Sequence, residues 1–120
     1  MPRTAITPQT PQQGAQLGVV SAGDLDITYT AADNANGNSV TWSSNRLMLC
    51  AWNDSAGALT ITVTAVAAAD SGRLTTITAY SLAADDHVHI ILGRDGWQQS
   101  DGTLYLDASG SAIKFAVLLL

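Results

Sequence analysis

The sequence predicts an all-β protein, an antiparallel β-sandwich of about eight short strands in a jelly-roll-like arrangement with an extended N-terminal arm. Three observations carry that prediction. All ten acidic residues are Asp and Lys114 is the only lysine, so Glu and Lys, the commonest solvent-facing helix formers, are nearly missing. From Asp24 onward, short runs rich in Thr, Val, Ile, Leu and aromatics alternate with Gly, Asn, Asp and Ser clusters. The clearest run, LTITVTAV, sends Leu59, Ile61, Val63 and Ala65 to one face and Thr60, Thr62 and Thr64 to the other, the period of a half-buried strand.

The elements follow in order. Residues 1–20 read as an extended arm, because Pro2, Pro8 and Pro11 are the only prolines and stand among Thr and Gln without an apolar period. Residues 21–120 form the sandwich domain. Strands are expected over 25–30, 40–42, 46–52, 59–66, 74–80, 87–92 and 103–106. The run RLMLCAW at 46–52 leads through Asn53, Asp54, Ser55, Ala56 and Gly57 into the Thr-alternating run, a connection that predicts an antiparallel hairpin between the two. Turns are expected at Asn36-Gly37, Ser71-Gly72, Gly93 to Gly96, Asp101-Gly102 and Ser109-Gly110, where glycine supplies positive φ. The closing run AIKFAVLLL alternates at first and then becomes apolar on both faces. Its periodicity, like that of 65–69, does not separate strand from short helix.

Composition excludes several classes of function. Hydrophobic residues make up 47% of the chain and charged residues 12%, with a net charge of −5, so a core forms and no basic stripe exists to track a phosphate backbone. Nucleic acid and membrane are therefore not expected partners. The apolar end at 115–120 is too short to span a bilayer, and the first residues hold no leader-like apolar stretch, which predicts synthesis in the cytoplasm. Cys50, the only cysteine, lies among apolar neighbours and reads as a packed thiol.

His87 and His89 are spaced to share one face of a strand, as in His-x-His metal sites. The chain offers no third histidine and no glutamate, and the cupin pattern fails at both of its later positions. Asp24, Asp26 and the Asp33 to Asn38 stretch lack the spacing of a calcium loop and read as Asx turns. No Gly-x-Ser-x-Gly elbow or Walker-type loop is present. We therefore expect no catalytic residue, metal or cofactor. Trp42, Trp52 and Trp97 leave open a sugar-stacking platform on a carbohydrate-binding or adhesion module, or simply core and interface packing.

From about Asn45 to the end, the order of features resembles the small head decoration, or cement, proteins of tailed bacteriophages. The resemblance rests on RLMLCAWNDSAGALTITVTAV, a Gly-containing loop, LTTITAYSLAADDHVHIILGRDGW and the apolar closing strand. Asn53, Thr60, Thr62, Thr64 and Trp97 fit that family's succession of turn, Thr-alternating strand and late aromatic. The resemblance implies a virion protein on the capsid surface that binds the major capsid protein as a homotrimer and ties neighbouring subunits together without a cofactor. On that footing the arm, with Thr4, Ile6, Thr7, Pro8, Thr10 and Pro11, is expected to contact the capsid by strand addition. Trp97, Leu118 and Leu120 are expected at a partner or homo-oligomer face.

Overall fold

The computed structural model describes residues 2–10, 27–66 and 76–120. Among them the chain forms nine strands: β1 (Thr4–Ala5), β2 (Thr30–Ala31), β3 (Asn38–Thr41), β4 (Arg46–Asn53), β5 (Leu59–Thr64), β6 (Ile77–Leu82), β7 (His87–Gly93), β8 (Thr103–Ala108) and β9 (Ile113–Leu119). They make two sheets, a five-stranded one in the order β1-β3-β8-β5-β6 and a four-stranded one in the order β2-β9-β4-β7. Every pairing is antiparallel except β1 with β3. The all-β sandwich read from the sequence is the observed fold, and the closing run is a strand. The strands expected at 25–30 and 74–80 begin outside the described residues, as do Pro11, the Ser71-Gly72 turn and most of 65–69.

Period-two alternation builds the core between the sheets. Leu47, Leu49 and Ala51 of β4, Ile61 and Val63 of β5, Leu104 and Leu106 of β8, and Ile113, Phe115 and Val117 of β9 are all buried. The Thr60, Thr62, Thr64 row turns outward on the five-stranded sheet, beside Tyr105 and Asp107 of β8. That outer face is hydroxyl-rich and needs no cover.

The hairpin expected between 46–52 and 59–66 does not form. β4 pairs with β7 and β9 in one sheet, and β5 pairs with β6 and β8 in the other. The connection crosses the sandwich because both strands carry an aliphatic row, and these rows bury each other better face to face than side by side. Asn53 fixes the crossing. Its fully buried amide donates to the carbonyls of Gly57 (2.8 Å), Leu82 (2.9 Å) and Ala83 (3.1 Å), and its oxygen accepts from the Ser55 hydroxyl at 2.7 Å. One side chain thus ties the β4–β5 and β6–β7 connections, satisfying carbonyls that would be costly to bury unpaired.

The described part of the arm is docked on its own domain. Thr4 and Ile6 donate their N–H groups to Gly37 and Ser39 on the five-stranded side, at 3.0 and 2.8 Å. Gln9 then bridges to the other sheet, donating to Val117 and accepting from Leu119, both at 2.7 Å. Between the two attachments Ile6 drops into the core, 3% exposed. The Gln9 side-chain amide completes the closure by pairing with both the N–H and the carbonyl of Thr28.

Arg3 anchors the arm's start. Its guanidinium reaches the Asp107 carboxylate at 3.0 Å, donates to the carbonyls of Asn38 and Leu106, and lies 4.1 Å over the Tyr105 ring. Gly37, at φ +80°, makes room for this contact: a Cβ there would lie 2.5 Å from the Asp107 carboxylate and closer still to Arg3.

Candidate functional site

The outer face of the four-stranded sheet differs in chemistry from its hydroxyl-rich counterpart. Its rows are set by register. Met48 lies between Ile91 and Leu118, Cys50 between His89 and Ala116, and Trp52 between His87 and Lys114. Three strands that are already apolar on their core side therefore present a second, largely apolar side away from it. Ile91 is 52% exposed and Leu120, at the rim, 51%. Met48 and Leu118 beside Ile91 are half-buried, and Cys50 and Ala116 in the middle of the face are buried. A partly exposed apolar row across adjacent strands is the kind of surface that soluble proteins reserve for contacts.

The charged and polar groups of this face are largely engaged. His87 lies flat on Trp52, ring centroids 5.3 Å apart and planes within 5°, and Tyr29 packs edge-on to the same indole at 5.8 Å. Lys114 reaches the Asp54 carboxylate at 3.7 Å. Burial, with a smaller contribution from Cys50, pushes the Tyr29 hydroxyl up from its ordinary value. Burial likewise pushes the Cys50 thiol up, so it is protonated and unreactive, the packed thiol expected from its neighbours. His87 and His89 do share a face, as their spacing predicts, but no group of three or more candidate metal ligands occurs among the described residues.

A second apolar feature adjoins this face. Among the described residues β6 ends the five-stranded sheet and β7 the four-stranded one, and the two lie on the same side of the sandwich. Between them runs a cleft of about 330 Å³, lined by Ile61, Val63, Ile77, Tyr80, Val88 and Ile90 among others. Tyr80, on β6, is 51% exposed. An open hollow of about 640 Å³ near Arg94, Asp95 and Asn45 lies at one end and gathers no nucleophile with a base beside it.

The expected contact residues are distributed unevenly. Leu118 is half-buried on the apolar face, and Leu120 is exposed beside it, its N–H donating to the Arg46 carbonyl. Thr7 and Thr10 are exposed and Pro8 half-buried, and Thr4 is held by its hydroxyl bond to Asp33. Ile6 is a correction: it is core, because the arm crosses the gap between the sheets and the gap needs an aliphatic. Trp97 packs against the core and Trp42 is 5% exposed, so with Trp52 on the outer face the three indoles form no common platform.

Sequence reasoning missed Met48, Ile91 and Tyr80. The runs LMLCA and IIL, apolar at consecutive positions, carried the signal for the first two, since consecutive apolar residues place a greasy side chain on both faces. Comparison of the chain with protein-family models, curated proteins and solved structures finds no match.

Proposed function

We propose that this protein is a capsid decoration protein, a non-enzymatic sandwich that seats on the outside of an assembled tailed-phage head and ties major capsid subunits together. The observation that carries the reading is the two-sidedness of the sandwich: one outer face is built from Thr and Ser hydroxyls, the other from Met48, Ile91 and Leu118. The hydroxyl face suits solvent and the apolar face suits a permanent contact. The sequence resemblance supplies the partner, the major capsid protein.

The contact passes through the apolar face rather than through residues 2–10, whose backbone groups at Thr4, Ile6 and Gln9 are already paired within the domain. Repetition over a symmetric lattice makes modest individual contacts additive. A glycan-binding reading would need clustered, exposed indoles, and the separation of Trp42, Trp52 and Trp97 disfavours it.

Co-sedimentation with undecorated heads tests the proposal. The intact chain pellets with heads, and the Met48→Lys/Leu118→Lys variant, still folded by circular dichroism, stays in the supernatant. A variant that pellets as well as the parent would remove the apolar face from the contact.

A further inference from the structure

We propose that two copies of this chain pair through β7, antiparallel and about a two-fold axis at Ile90, joining their four-stranded sheets into one continuous sheet. This deepens the decoration reading, since a paired face doubles the apolar surface offered to a capsid, and it replaces the homotrimer that the resemblance implies with a two-fold pair.

Among the described residues β7 has one strand partner, β4, and its other edge is free of them. At one end the Asn53 N–H reaches the Asp86 carbonyl, and at the other the Arg94 N–H reaches the Asn45 carbonyl, both at 2.9 Å, with unbroken register between. Bonds alternate sides along an antiparallel strand, so the even-numbered residues bond to β4. His87, His89 and Ile91 therefore point their N–H and C=O groups outward. Such an edge is a template for another strand. Nothing in its sequence blunts it: His87–Gly93 holds no proline, lysine or bulge.

Charge selects a second copy as the occupant and sets the register. With the axis at Ile90, His89 stands opposite Ile91 of the other copy and His87 opposite Gly93, the odd-numbered pairs whose bonding groups are free. The same register sets Asp86, one residue before the strand, opposite Arg94, one residue after it, twice over by symmetry. Among the described residues neither has a salt-bridge partner within 4.0 Å; one Asp86 carboxylate oxygen accepts from the Ala83 N–H at 3.2 Å, and Arg94 uses one guanidinium nitrogen on the Trp42 carbonyl. Asp85 and Asp95 lie beyond these positions, where each chain turns off the sheet line: Asp85 donates back to Asn53, and the Trp97 and Gln98 N–H groups close on the Arg94 carbonyl.

The pairing also places the two β6–β7 clefts against each other. Tyr80, Ile77, Val88 and Ile90 then face their counterparts instead of water. On the other side of each sandwich the arm already closes the corresponding gap with Ile6, whereas among the described residues no segment closes the β6–β7 gap.

Light scattering on the full chain at micromolar concentration tests the pairing: the expected mass is twice the 12.5 kDa of one chain. A monomer or a trimer overturns it. His89→Pro removes only an outward N–H, which an edge strand tolerates, and is expected to be monomeric with its circular dichroism unchanged. Retention of the dimer in that variant overturns the β7 contact.

Ile90→Cys provides a readout that does not depend on the proline variant folding. Residues at a non-hydrogen-bonded antiparallel pair have Cα atoms about 4.5 Å apart, within disulfide reach. Air oxidation is expected to yield a reducible covalent dimer, whereas Tyr80→Cys, off the axis, yields far less. No crosslink at 90 overturns the register. A monomer that pellets with heads would remove the pairing and leave the decoration reading intact; a dimer that ignores heads would do the reverse.

Discussion

Shortening Ile6 to alanine measures how far the arm belongs to the domain. Ile6 is 3% exposed and sits where the arm passes from one sheet to the other. Ile6→Ala removes three buried carbons, a loss of about 2.5 kcal/mol at about 0.8 kcal/mol each. A rigid surround would add a cavity penalty, bringing the cost toward the upper part of the usual range of about 2–5 kcal/mol. The arm is held by a handful of bonds, so partial collapse offsets that penalty and the net stays near 2.5 kcal/mol. For a domain of this size each kcal/mol lowers Tm by about 4 °C, giving an expected fall of about 10 °C.

Differential scanning calorimetry reads the fall, and hydrogen exchange locates it. The amides of Ile6, Gln9 and Leu119, which donate to Ser39, Val117 and Gln9, should lose protection before those of β4. A Tm change under about 2 °C with unchanged protection of these amides would refute the reasoning.

Other expectations follow from single contacts. Asn53→Ala strips three buried or half-buried carbonyls of their donor and is expected to cost about 3 kcal/mol by urea unfolding, more than any surface substitution. Ala79 stands at φ 49° where the β5–β6 register shifts, so Ala79→Gly should stabilise by up to about 1 kcal/mol in the same assay. The Thr4 hydroxyl, with Asn36, holds the Asp33 carboxyl below its ordinary value, and the Thr103 and Tyr105 hydroxyls do the same for Asp101. Depressed folded pKa values contribute stability above the unfolded carboxylate range that is lost as pH falls through the folded values, so Tm should decline below about pH 4. NMR titration of Thr4→Ala should show the Asp33 pKa moving up, and no movement would break that assignment.

The sheet strands from β3 to β9 were largely legible because alternation is a local property, and a strand half-buried in a sandwich writes it into consecutive residues. Partner choice was not. The 46–52 and 59–66 runs look like a hairpin from their connecting residues, and only the polar demand of Asn53, met by carbonyls from residues distant in sequence, reveals the crossing. The arm's fate was hidden for the same reason: Ile6 is one aliphatic among Thr and Pro, with no period to mark it as core. The exposure of Leu120 and the half-burial of Leu118 were legible because consecutive leucines cannot all face inward. Met48 and Ile91 carried the same signal in shorter form.

Co-sedimentation of the intact chain with undecorated heads decides whether the apolar face of the four-stranded sheet seats on a phage head, as we propose. Saturable pelleting is expected, abolished in the Met48→Lys/Leu118→Lys variant without unfolding of the domain. A folded parent chain that remains in the supernatant at every concentration would contradict it.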